Sequence, residues 1–147
     1  QRKKFPIVVY YIKKYERIHY IFLLGGISLV IKYEEKDKLL IINITEEIDH
    51  HTTEIIRRRV DYEIQRLMPR KVIFDFNSVL FMDSAGVGMI IGRYKTCRTY
   101  GGMLELKNVK PKIERILSMS GITKIIPIID NNYENNMYTE IASAKLV

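Results

Sequence analysis

From residue 30 onward the apolar positions switch between two spacings. The segments "VIKYEE" and "KLLIINIT" read as two strands, and the charged "EEKDK" between them suits a hairpin turn. In "DHHTTEIIRRRVDYEIQRLM" the spacing changes to that of a helix. Ile55, Ile56, Val60, Ile64 and Leu67 fall on one side and Arg57, Arg58, Asp61 and Arg66 on the other, which predicts a helix over 52–68 closed by Pro69. The nearly continuous apolar run "KVIFDF" predicts a strand buried on both faces.

Helical spacing returns after "FMDSAGVG" at 81–88, where Val87, Ile90, Ile91 and Tyr94 share one face. Ser84 stands at the strand-to-helix junction and reads as the N-cap, a role worth about 1 kcal/mol. Gly101-Gly102 ends that helix, "MLELKNV" is a further strand, Pro111 opens the short helix "PKIERILSMS" and Gly121 ends it. "TKIIPII" reads as an edge strand because Pro127 has no amide to donate, and "NYENNMYTEIASAKLV" as a terminal helix. The order β-β-α-β-α-β-α-β-α describes a single α/β domain with a mixed sheet packed against helices. No internal repeat or low-complexity linker interrupts it.

The 147 residues suit one domain. Their net charge of +7 changes meaning once divided along the chain. Residues 1–29 hold six Lys/Arg and one Glu, and residues 30–147 carry only +2, so the body gives no electrostatic sign of nucleic-acid binding. Cys97, the single cysteine, excludes an internal disulfide framework and points to a reducing, cytoplasmic setting, with the thiol as a small packing group.

Residues 1–29 read as a basic and apolar extension to a domain spanning 30–147. Its longest apolar stretch, 18–31, is interrupted by His19, Gly25, Gly26 and Ser28, falls short of the roughly 20 residues of a membrane span, and precedes no small-x-small cleavage site. A signal peptide or anchor is the alternative to the preferred expectation, that this segment is not part of the native protein. A ribosome-binding sequence read in frame would encode Gly25-Gly26, with Val30 as initiator through a GTG codon. No membrane contact is expected for 30–147.

Several candidate chemistries fall short. Gly86, Gly88 and Gly92 miss the dinucleotide fingerprint by one position, and the spacing of Gly88 and Gly92 predicts close approach of helix to sheet instead. A nucleophile elbow fails because Met82 occupies its first glycine position. His50 and His51 point about 100° apart at a helix start, unlike an i, i+4 metal pair, and Asp49 before them reads as a cap. Asn43-Ile44-Thr45 matches a glycosylation acceptor but lies inside a predicted strand. No base, nucleophile pair or metal set for a small α/β enzyme emerges, and no cofactor is implied. A cap alone does not account for Asp83, Gly86 and Gly88, which keep the surface around Ser84 low and open.

"FMDSAGVGMIIGRYK", with "EEIDHHT", "YGGMLEL" and "ILSMSGITKII", resembles the bacterial anti-sigma factor antagonists, the STAS-domain proteins, and among them the sporulation anti-anti-sigma factors most closely. The resemblance covers 30–144 and none of residues 1–29. It implies a STAS-type fold and a partner switch in transcription regulation. The unphosphorylated protein binds an anti-sigma factor serine kinase and frees the sigma factor. Phosphorylation of Ser84 ends that binding, and a serine phosphatase resets it. The chain would itself hold no catalytic residues. The partner-binding surface implied is Asp49, His50 and His51 together with Asp83, Ala85 and Gly86. Ala85 replaces a second serine common in the sporulation proteins, and Glu46 stands where the family commonly has glycine, which implies a different turn. The alternative is a non-switching STAS scaffold or ligand-sensing module in which Ser84 is only a cap.

Overall fold

The computed structural model describes residues 8–14, 17–24, 27–45 and 47–129. The helix expected over 132–147 and the turn at Glu46 lie outside them. Strands β1 (Val8–Lys14) and β2 (Arg17–Leu24) form an antiparallel pair, and β2 continues onto β3 (Ile27–Glu34) with Ile21 opposite Val30. β3 therefore starts at Ile27, ahead of the expected residue 30, and its Leu29 is fully buried. The charged turn 35–38, with Lys38 at φ 50°, folds β3 back on β4 (Leu39–Ile44), as the sequence predicts.

From β4 onward the pairing is parallel, and each crossover carries a helix. α1 (His50–Leu67) leads to β5 (Lys71–Asp75), α2 (Ser84–Thr99) to β6 (Met103–Lys107), and α3 (Pro111–Met119) to β7 (Ile128–Ile129). The sheet runs β1-β2-β3-β4-β5-β6-β7. Met68 ends α1 in the left-handed region, Gly101 at φ 82° follows α2, and Gly121 at φ 80° follows α3.

Alternation along the strands sends Leu29, Ile31, Leu40, Ile42, Val72, Phe74, Leu104 and Leu106 to one face. There they meet Ile56, Val60 and Ile64 of α1, Met89, Ile90 and Cys97 of α2, and Ile113 and Leu117 of α3. Each such side chain removed from water contributes about 1.5–3 kcal/mol. Lys32, Ile41, Asn43, Ile73, Asp75 and Lys107, of opposite parity, are buried as well. β5 is thus covered on both faces, as its apolar run predicts.

Two expectations are corrected. The first part of "TKIIPII" is a 3-10 turn, Ile122–Lys124, and only Ile128–Ile129 pair as strand. Ile122 and Ile126 are both buried in the core, and the Ile126 amide donates to the Ile122 carbonyl at 3.0 Å, a local bond that an extended chain cannot make. Gly88 and Gly92 do not mediate close packing, since a Cβ at either would meet nothing within 4 Å. The close approach is at Gly86, where a Cβ would lie 2.9 Å from Ile48 Cγ2 and tighter still against Met82. Gly102 behaves likewise, with a Cβ position 2.5 Å from the Pro69 carbonyl.

Candidate functional site at two helix starts

α1 and α2 begin side by side. Ile48 and Met82 form a parallel bridge, in which the Ile48 amide donates to the Phe81 carbonyl at 3.0 Å and the Asp83 amide to the Ile48 carbonyl at 3.0 Å. Both bridge residues are buried and anchor the junction. The residue after each is a helix cap, Asp49 for α1 and Asp83 for α2. The fold thereby joins two segments 34 positions apart, bringing the α1 start, with Asp49, His50 and His51, alongside the α2 start, with Asp83, Ser84 and Ala85.

At α1 the cap is reciprocal. Asp49 Oδ1 accepts from the amides of His51 and Thr52, both at 2.9 Å, while Thr52 Oγ1 accepts from the Asp49 amide at 2.9 Å and donates to the Glu47 carbonyl at 2.7 Å. The Thr52 amide is the largest of the influences that hold the Asp49 carboxyl below its usual range. Asp49 is a cap, as its position predicts. His50 and His51 occupy the first turn, exposed, with ring centroids 6.1 Å apart and planes at 62°. Among the described residues no group of three His, Cys, Asp or Glu side chains is placed to hold a metal ion.

At α2 the expected N-cap is displaced by one residue. Asp83 is extended, at φ −98° and ψ −175°, and its Oδ1 accepts from the Ala85 amide at 2.8 Å. The Asp83 carbonyl accepts from the Gly86 amide at 3.0 Å. Ser84 is the first helical residue and is exposed, so its hydroxyl is not turned into the cap. The physical reason lies one step upstream: the Ile48 bridge holds Asp83 extended, the backbone state a cap requires. Gly86 is buried at the crossing with Ile48 and Met82, and Ala85 is partly exposed.

Farther along α2, Arg93 is buried and its Nε lies 2.7 Å from Asp61 Oδ1 of α1, an ion pair that ties the two helices together. Cys97 is buried one turn on, and burial pushes its thiol up to about 12, consistent with an unreactive packing role. Leu80 and Phe81, both exposed just before the site, were not identified from the sequence as functional residues. The available signal was "VLFM" itself, four consecutive apolar residues in a connection too short to bury them all.

The model of the STAS domain family matches residues 30–136. An anti-sigma F factor antagonist from Paenibacillus polymyxa is 40% identical over 114 residues, which are 78% of this chain and 96% of the relative. An anti-sigma-B factor antagonist from Bacillus subtilis is 28% identical over 70% of this chain and 91% of its own length. Among solved structures, the anti-sigma factor antagonist SpoIIAA in its unphosphorylated form has a TM-score of 0.59 at 26% identity, covering 72% of this chain and 90% of that one. The Bacillus SpoIIAA in its phosphorylated form has a TM-score of 0.55 at 27% identity, covering 70% and 91%. None of the helices among the described residues is long and apolar enough to cross a membrane.

Proposed function

The chain belongs to the STAS domain family, and from that we propose that it is an anti-sigma factor antagonist switched by phosphorylation of Ser84. In the unphosphorylated form it binds an anti-sigma factor serine kinase in the cytoplasm and releases the sigma factor, in the setting of sporulation. The observation that carries this reading is the division of labour at α2: Asp83 caps the helix, and the Ser84 hydroxyl stands exposed at its first position. Asp49, His50, His51, Asp83, Ala85 and Gly86 form the partner-binding surface around it. The acting unit is the STAS domain from residue 30 onward, with residues 1–29 an extension to it.

In the transfer step Ser84 Oγ attacks the γ-phosphorus of ATP held by the kinase. An oxygen–phosphorus bond forms, the bond to the ADP oxygen breaks, and the hydroxyl proton leaves to a base supplied by the kinase. A serine phosphatase hydrolyses the ester with water, restoring the hydroxyl and releasing phosphate. This chain contributes the nucleophilic hydroxyl and its presentation, and the partner supplies the catalysis.

The new group adds about −1.5 to −2 charges. At the start of α2 the free amides and helix dipole favour it by about 0.3–1 kcal/mol, which offsets modest repulsion from Asp83 in solvent. The fold is therefore retained. Buried against a partner, the same charge faces a desolvation cost of several kcal/mol, enough to shift affinity by orders of magnitude. That a relative of the same fold is known in both unphosphorylated and phosphorylated forms supports the reading.

Incubation with ATP and a purified anti-sigma factor kinase, read by mass spectrometry, tests it. Phosphate is expected on Ser84 alone. Label on Ser78, Ser118 or Ser120 with Ser84 unmodified would refute it.

A further inference from the structure

Residues 76–83 connect β5 to α2, and their burial does not alternate. Phe76, Val79 and Met82 are buried, whereas Leu80 and Phe81 are 72% and 50% exposed. A regular extended segment turns one of two neighbours inward, yet here two consecutive large apolar side chains face solvent. The segment is held on both sides of them. The Val79 amide donates to the Phe76 carbonyl at 2.9 Å, and the Phe81 carbonyl accepts from the Ile48 amide at 3.0 Å. Among the described residues the other large apolar side chains exposed to half or more, Tyr62, Met68, Met103, Met119 and Ile125, have no neighbour in sequence that is also so exposed. Tyr62 lies beneath the guanidinium groups of Arg59 and Arg66, at 5.2 and 5.9 Å. Single apolar surface residues are ordinary. An adjacent pair on a pinned segment, three and four residues from Ser84, departs from that pattern.

We infer that Leu80 and Phe81 are the apolar anchor by which the anti-sigma factor kinase grips this protein, seated in an apolar recess beside the kinase's nucleotide site. The inference rests on the reading of Ser84 as the phosphoryl acceptor and adds the residues that supply binding. Transfer requires Ser84 Oγ within about 3–3.5 Å of the γ-phosphorus, so the kinase encloses the surface next to Ser84, and Leu80 and Phe81 are continuous with it. Interface energy concentrates in a few well-packed apolar and aromatic groups, and a pinned backbone reduces the ordering cost of burying them. The placement also gives phosphorylation its leverage, because a phosphate three residues along the chain would have to be desolvated for the anchor to stay seated.

The test measures the dissociation constant of the kinase complex by titration calorimetry for wild type, Leu80→Ser, Phe81→Ser and Tyr62→Ser, with each thermal midpoint recorded. Leu80→Ser and Phe81→Ser are expected to weaken binding tenfold or more at unchanged midpoint, and Tyr62→Ser less than threefold. Changes below threefold in both loop variants would overturn the inference while leaving the Ser84 reading intact. So would self-association of the free protein that Leu80→Ser abolishes, which would give the pair to a second copy of this chain. A wild-type protein that binds no anti-sigma factor kinase would refute the Ser84 reading, and the anchor with it.

Discussion

A hydroxyl that caps a helix turns its lone pairs toward the first-turn amides, whereas one that accepts a phosphoryl group must face the incoming nucleotide. Asp83 and Ser84 separate these tasks. Asp83→Ala is therefore expected to lower stability by about 1 kcal/mol in urea unfolding. Ser84→Ala should stay within about 0.5 kcal/mol of wild type, as an exposed substitution outside the cap does, while abolishing phosphorylation and retaining kinase binding. Equal destabilisation by the two would return the cap to Ser84. The motif and its serine were legible in "FMDSAG" because two cap-forming residues sit between an apolar run and a helical one. Which of them caps was not, since a helix start shifted by one residue leaves the apolar spacing unchanged, and only the bridge to Ile48 decides it.

At the scale of elements, α2 is positioned by one glycine and one ion pair. Gly86→Ala inserts a methyl group against Ile48 and Met82 and is expected to cost about 1–3 kcal/mol, the range for overpacking. Gly92→Ala, with open space around its Cβ, should instead gain up to about 1 kcal/mol from helix propensity. Denaturant midpoints of the two variants should thus move in opposite directions. Asp61→Ala leaves Arg93 buried without its counter-charge, and because Asp61 is itself partly exposed the expected loss is about 2 kcal/mol, below the range for a fully buried pair. A midpoint unchanged by Asp61→Ala would show that Arg93 finds another partner. The first three helices, their order and their C-terminal ends followed from periodicity, Pro69, Gly101 and Gly121. The roles of the α2 glycines and the pairing of Asp61 with Arg93 did not, because each depends on what the opposite element places there. For the same reason "TKIIPII" has the pattern of a strand along its length, although only Ile128–Ile129 pair as one.

For the whole molecule, the acid limb of stability carries a contribution from Asp49. Its carboxyl is held below the usual range, chiefly by the Thr52 amide, so the folded state favours the ionised form. That stabilisation is full above the ordinary carboxylate value near 4 and is lost as pH falls through the lowered folded value. Asp49→Asn keeps a capping oxygen but cannot titrate. The fall in urea midpoint between pH 7 and pH 3 should be smaller in the variant than in wild type, and an equal fall would remove Asp49 from the account.

The chain's one-dimensional pattern determined the α/β class, the β-α alternation after residue 38, the burial of β5 on both faces and the serine motif, because period and punctuation are properties of neighbours in sequence. The third dimension decided the rest. β1 pairs with β2, and β2 with β3, through backbone hydrogen bonds, which side-chain composition does not encode. The α1 start at Asp49 lies beside the α2 start at Ser84 because parallel strands place successive crossover helices next to each other, and the Ile48–Met82 bridge sets the register of the two starts. Leu80 and Phe81 face outward because the same bridge consumes the backbone groups on either side of Met82, leaving two apolar neighbours no inward position to occupy.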